Sequence, residues 1–356
     1  MGTQDNDSPQ PCAGLSGVPD GLVAKVLCPH HDQSAEAYLS SQYLTPQMQP
    51  VAQQIDRWYP PEKDGKADVP SLDDAQAYCR ELATSHYENF PLVSWLLPPA
   101  LHQHFYNVYA FCRWADDLGD EIGDRDRSLE LLAWWRSELQ ACFEGERRHP
   151  VFVALWPTID RLAIPIKPFD DLIAAFEQDQ TVVEYQSYEQ LLDYCTRSAD
   201  PVGRIVLYLC ESVSEQNFAW SDSICTGLQL ANFWQDVNRD LDIGRIYLPQ
   251  EDRERFGVTR EQLLNRETTD GFLQLMEFEV DRARSLLNAG LPLVERLPGR
   301  LQVDIDLFAR GGLRILDRIQ SINYRVLDQR PVVTKRDAFG LLLAALGRRL
   351  VRISRR

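Results

Sequence analysis

The stretch Gln229-Leu230-Ala231-Asn232-Phe233-Trp234-Gln235-Asp236-Val237-Asn238-Arg239-Asp240 sets two aspartates four residues apart inside an apolar, aromatic segment. The same grammar occurs 120 positions earlier, in Tyr109-Ala110-Phe111-Cys112-Arg113-Trp114-Ala115-Asp116-Asp117-Leu118-Gly119-Asp120-Glu121. On a helix, residues four apart stack on one face, so each cluster presents a carboxylate pair. Like charges at that spacing weaken a helix by roughly 0.2–0.5 kcal/mol. Accepting that cost twice implies a positive charge between them. Magnesium fits, because it takes one or two carboxylates and completes its shell with water and phosphate oxygens. A lone pair in so acidic a chain would read as a solvated face; the flanks argue otherwise. Arg113 shares the face of Asp116 and Tyr109, and a guanidinium beside carboxylates suits a metal-bridged diphosphate. Gln229, Asn232, Asp236 and Asp240 follow a 3-4-4 spacing, an amide stripe ending in carboxylates that core packing does not explain.

Outward from these helices the pattern stays helical. Ser71-Leu72-Asp73-Asp74 reads as a cap opening a helix to about Tyr87. Pro98-Pro99 opens the next, to about Glu121. Further helices are expected over 127–144, 150–162, 168–180, 187–197, 201–214, 219–241, 270–296, 301–328 and 335–352, with Pro and Gly at the joints. No alternating strand pattern of useful length appears, so the chain is read as all-α, a single large helical bundle over 71–352. Residues 1–70, rich in Pro, Gln, Ser and Asp, read as a tail, disordered or loosely packed, with a short helix near Met48–Trp58.

Composition excludes several classes. The net charge of −16 argues against a nucleic-acid partner. No run of 18 apolar residues suggests a spanning helix, and Met1–Pro29 shows no signal-peptide pattern, which points to the cytoplasm. The eight cysteines form no CxxC pair, and His30-His31 beside Cys28 lack a second ligand pair. Read as an EF-hand from Asp120, the acidic stretch puts Arg125 where the glycine belongs and Leu131 where the glutamate belongs. After residue 331 the chain is basic and amphipathic, either a last core helix or a surface resting on an anionic inner membrane.

Over roughly residues 75–350 the chain resembles the squalene/phytoene synthase family of head-to-head prenyl transferases. The matches are Tyr109–Asp117, Gln229–Val237, Gly244-Arg245-Ile246-Tyr247-Leu248-Pro249 and Ile315-Leu316-Asp317-Arg318-Ile319. The resemblance implies the isoprenoid-synthase fold with a central active-site cavity. It implies two or three magnesium ions on Asp116, Asp117, Asp120, Asp236 and Asp240, and a C15 or C20 prenyl diphosphate substrate. Arg113, Asn232, Gln229 and Tyr109 are then expected at the reaction centre, with Glu121 tuning the metal shell. His86, Phe90, Tyr194, Arg197, Arg239 and Tyr247 are expected to bind substrate. His86-Tyr87-Glu88-Asn89-Phe90-Pro91 and Asn232–Val237 look like the bacterial hopanoid-pathway member that converts presqualene diphosphate to hydroxysqualene.

Two departures from the wider family favour that branch. Gln235 stands where most members carry arginine, and Tyr194-Cys195-Thr196-Arg197 replaces an aromatic segment. Both weaken the case for condensing two diphosphates and leave a one-diphosphate ionisation intact. The rivals are squalene, dehydrosqualene or phytoene synthases, and, of another class, a non-catalytic helical scaffold. With no glycine-rich nucleotide fingerprint after a strand, NADPH is not expected. Association with other enzymes of the pathway is left open.

Overall fold

A computed structural model describes residues 51–59, 69–85, 98–299 and 301–354. Among them are helices, turns and one isolated parallel bridge, Glu184 to Ile246, but no strand. In chain order come α1 (Val51–Trp58), α2 (Leu72–Ser85), α3 (Pro99–Asp120), α4 (Arg125–Glu144) and α5 (Pro150–Leu162). Then follow α6 (Lys167–Asp179), α7 (Tyr188–Ser198), α8 (Asp200–Leu209), α9 (Glu215–Asp242) and α10 (Gln250–Arg255). The series ends with α11 (Arg260–Leu264), α12 (Asp270–Gly290), α13 (Leu293–Arg296), α14 (Leu301–Ser321) and α15 (Lys335–Ser354).

Local chemistry explains the boundaries. Ser214 caps α9, its side chain accepting from the Asn217 N–H at 3.1 Å, so that helix begins before residue 219, where periodicity placed it. Asp124 caps α4 in the same way, at 2.8 Å from the Arg127 N–H. The single helix expected over 270–296 is divided, because Pro292 cannot continue the N–H ladder of α12. The helix expected to 328 stops at Ser321, where Asn323 and Tyr324 take left-handed φ of 53° and 60°. The short α10 and α11 were not foreseen.

The long α9 is the central helix, packed against α8, α12 and α14. Its approach to α12 and α14 depends on glycine. A Cβ at Gly227 would lie 2.8 Å from Cγ of Leu287, and one at Gly312 would lie 2.6 Å from Cδ2 of Leu228. The other motif helix, α3, is clamped from behind by aromatics. Trp114 stacks on Trp135 at 5.3 Å, meets the buried His149 ring edge-on at 4.4 Å, and donates its indole N–H to Tyr78 Oη at 2.9 Å.

The short helix expected near 48–58 is found as α1. Val51 and Ile55 are buried, Trp58 meets His149 at 5.0 Å, and Gln54 Oε1 accepts from Tyr78 Oη at 2.9 Å. The rest of 1–50 and 60–68 lies outside the described residues. The basic C-terminal helix α15 docks on α14 through two buried carboxylates. Asp337 accepts from Arg318 and pairs with Arg314, and Asp306 accepts from Arg348 at 2.6 Å. Among the described residues no helix is long and apolar enough to cross a membrane.

Candidate active site

The first cluster occupies the last turns of α3. Asp116 and Asp117 are each 3 % exposed, held down because the opposite face carries Trp114, Ala115 and Leu118 into the core. Arg113 reaches forward along the helix, 2.7 Å from Asp117 Oδ1 and donating to Glu121 Oε1 at 3.0 Å. Burial works against the charge on Arg113, but Asp117 and Asp116 outweigh it and keep it protonated. Burial also pushes the Asp117 carboxyl up to about 7 despite Arg113. Asp117 and Glu121 therefore act on Arg113, while Asp116 and Asp120 keep the four-residue spacing of the pair.

The second cluster occupies the C-terminal half of α9. Gln229 is buried, Asn232 and Asp240 half-buried. Asp236 is gripped at both oxygens by an arginine from outside the cluster: Arg330 Nε donates at 2.5 Å and Nη2 at 3.1 Å. Arg239 stands 3.9 Å away. Gln235 is 2 % exposed and donates to the Pro331 carbonyl at 2.7 Å, tying α9 to the segment that carries Arg330.

The two clusters are joined through the turn after α9. Arg245 Nη2 lies 3.7 Å from Asp120 Oδ1. Tyr247 stacks face to face on Phe233 at 3.7 Å and on Tyr185 at 5.8 Å, with Tyr194 behind them donating to Asp179 at 3.0 Å. Phe233, Asp240, Arg245 and Tyr247 line a small cleft with room for little more than a water molecule. Burial, with Asp179 adding to it, holds the Tyr247 phenol far above its ordinary pKa and so neutral.

Of the residues singled out from sequence, Asp120, Asp240, Tyr194 and Tyr247 meet around Arg245. Arg113 faces Asp117, and Tyr109 is half-buried one turn earlier. Arg197 donates to Asp193 at 2.7 Å and to Gln178 at 2.8 Å, and Gln178 in turn donates to Tyr185 Oη at 3.5 Å. His86 and Phe90 lie outside the described residues. Arg330, Arg245 and Asp179 were missed. Arg245 lay in a quoted motif without a role, and nothing local to Arg330 marks it.

The donor set suits magnesium. Hard carboxylate oxygens on two separate helices face arginines, so the fold supplies positive charge where a divalent ion would act. Among the described residues no three Asp, Glu, His or Cys side chains form a ready-made cage. Magnesium does not require one, since it keeps waters and takes phosphate oxygens.

A family model described as squalene/phytoene synthase matches residues 83–337. The chain belongs to the squalene/phytoene synthase family. The 15-cis-phytoene synthase of Synechocystis sp. is 33 % identical over 278 residues, 74 % of this chain and 82 % of that one. The hydroxysqualene synthase of Rhodopseudomonas palustris is 32 % identical over 243 residues, 67 % of this chain and 81 % of that one. Among solved structures, the squalene synthase HpnC of Alicyclobacillus acidocaldarius superposes with a TM-score of 0.68 at 44 % identity, covering 72 % of this chain and 97 % of that one. This synthase family member thus has the isoprenoid-synthase fold, and a prenyl diphosphate substrate is consistent with its family.

Proposed function

We propose that this enzyme ionises presqualene diphosphate and quenches the rearranged cation with water to give hydroxysqualene, with magnesium bound by Asp116, Asp120, Asp236 and Asp240. The observation that carries this reading is Gln235. A neutral amide, 2 % exposed and committed to the Pro331 carbonyl, takes the position at which the family resemblance leads one to expect an arginine, and so leaves one cation fewer for a second diphosphate. The similarity to HpnC and to hydroxysqualene synthases supports the same branch.

Bound magnesium would neutralise the departing diphosphate as a Lewis acid. Arg113 and Arg330 then supply bidentate donors to its remaining oxygens. The C–O bond of the cyclopropylcarbinyl ester breaks with both electrons on diphosphate. The stacked faces of Phe233 and Tyr247 offer π density to the cation. Because Tyr247 stays neutral, no phenolate competes with water for that cation. Asn232 and Gln229 orient the incoming water, whose oxygen forms the new C–O bond and whose proton passes to the released diphosphate. NADPH has no part in this sequence, since water ends it. On α15, Arg336 and Leu343 are both exposed, and their exposure supports our proposal that this helix contacts an anionic membrane surface.

The test is to incubate the purified protein and magnesium, without NADPH, with presqualene, farnesyl or geranylgeranyl diphosphate in parallel, and to identify products by mass spectrometry. Hydroxysqualene from presqualene diphosphate alone is expected. Consumption of farnesyl diphosphate would overturn the half-reaction, and phytoene from the C20 substrate would replace it with the activity named for the Synechocystis relative.

A further inference from the structure

Arg245 belongs to neither aspartate cluster, yet it is built into both. After α9 the chain turns at Gly244, whose φ of +77° suits glycine, and the Arg245 N–H closes back on the Asp240 carbonyl at 2.8 Å. The chain then extends beside 183–186, with the Ile246 N–H donating to Val183 O at 2.7 Å and the Gln250 N–H to Tyr185 O at 2.9 Å. Extended backbone puts residues i and i+2 on one side, so Arg245 points with Tyr247, which Phe233 fixes by stacking. The Arg245 side chain is 13 % exposed and reaches toward Asp120, the last aspartate of the first cluster.

The opposite side of this contact is equally fixed. Gln180, at the end of α6, donates to the Gly119 carbonyl at 3.0 Å, one residue before Asp120. Its neighbour Asp179 accepts from Tyr194 and adds its charge to that of Asp120 around Arg245. The guanidinium is thus attracted by a carboxylate from α3 and by one from α6 while its own backbone is tied to Asp240. At 3.7 Å it is too far to hydrogen-bond Asp120, so it attracts that carboxylate without occupying its oxygens.

We infer that Arg245 is a positioning residue that holds Asp120 at its working distance from the second cluster, across which divalent ions and a diphosphate are bound. The inference rests on the magnesium–diphosphate reading above and goes beyond it in assigning the brace. Removing a nearby positive charge should by simple electrostatics tighten magnesium binding. Removing a brace should weaken it, and the two effects have opposite signs.

The experiment follows magnesium binding by thermal shift of the full chain, with inorganic diphosphate as the probe, so that no turnover is needed. Arg245→Gln is expected to raise the half-saturating magnesium concentration about 10-fold or more, as supporting residues around metal ligands typically do. Arg245→Lys should recover most of that loss. In an Asp120→Asn background, Arg245→Gln should add nothing. A folded R245Q whose half-saturation is unchanged or lower overturns the inference. Should R245Q not fold, Arg245→Met carries the test: it keeps the apolar stem and removes the charge, so a half-saturation raised about threefold or more is expected where simple electrostatics would lower it, and an unchanged or lower value overturns the inference. Wild-type protein that shows no magnesium–diphosphate shift would remove the diphosphate reading and this inference with it. A normal wild-type shift that survives R245Q removes the inference alone.

Discussion

Replacing Arg330 by alanine takes both donors off Asp236, and the structure gives the direction of the consequence. The pair is bidentate, at 2.5 and 3.1 Å, with Arg330 28 % and Asp236 13 % exposed. Charge-assisted hydrogen bonds contribute roughly 1.5–3 kcal/mol when shielded, and partial exposure lowers that to about 1–2 kcal/mol. Because the two nitrogens use both carboxylate oxygens, a metal reaching Asp236 must displace or share them. Removing the competitor should therefore lower the half-saturating magnesium concentration by roughly 5- to 30-fold, the equivalent of that energy. Titrating magnesium against thermal stability without diphosphate isolates this effect. Activity should move the other way, with a higher KM for the prenyl diphosphate, because the arginine freed by the metal no longer meets the leaving group. An R330A protein that folds normally and binds magnesium more weakly would refute the reasoning. It would mean that Arg330 organises Asp236 for the metal instead of competing with it.

Gln235→Arg buries a second guanidinium beside Arg330 and breaks the bond to Pro331, so it should cost roughly 1–3 kcal/mol in urea denaturation without yielding turnover of farnesyl diphosphate; appearance of that turnover would show that one side chain sets the number of diphosphates held. Tyr78→Phe deprives the buried Trp114 indole of its acceptor and frees Gln54 of α1, a loss of about 1–3 kcal/mol that should leave KM unchanged. Asp304, 5 % exposed on α14, has its carboxyl pushed up to about 8 by burial. Its folded pKa exceeds the unfolded one, so the folded state keeps the proton longer, and stability falls as pH rises from about 4 to about 8. Asp304→Asn removes that slope and should leave the variant roughly 2–4 kcal/mol more stable than wild type at pH 8 and little changed at pH 4; equal stability at both pH values would refute the assignment.

What was legible in the sequence was local. Four-residue spacing within apolar segments placed Asp116, Asp120, Asp236 and Asp240 on helix faces, and α3 and α9 carry them. Even α1 announced itself, through Val51, Ile55 and Trp58 at helical spacing, although nothing there told that it would support the back of Trp114. Helices α10 and α11, of six and five residues, are too short for a periodic signal to build up. The partners of the acidic residues were illegible because they come from far along the chain. Arg330 lies 94 positions from Asp236. The partners of Arg197 were equally illegible: on α7 it is held by Asp193 and by Gln178, which donates to Tyr185 of the aromatic stack, while Tyr194 turns inward to Asp179.

The charge distribution around the two clusters follows from a folding constraint that the motifs alone do not reveal. A site proposed to hold divalent cations would also have to fold without them, with several carboxylates buried or half-buried near one another. Left uncountered, these would repel one another or take up protons. The fold answers with arginines at four of these groups: Arg113 for Asp117 and Glu121, Arg245 for Asp120, Arg330 for Asp236. Two of the three come from outside the clusters, so closing the site requires the tertiary fold to form first. Their contacts also differ in kind. Arg330 saturates its carboxylate, whereas Arg245 stands just beyond hydrogen-bonding range. Arg330 is therefore the arginine that a metal on Asp236 would have to displace, and it would then be a donor for the diphosphate beside that carboxylate. Arg245 need not move. If the opposite signs expected for R330A and R245Q in the magnesium titration are found together, the same arginines that let the empty site fold also divide the work of the loaded one.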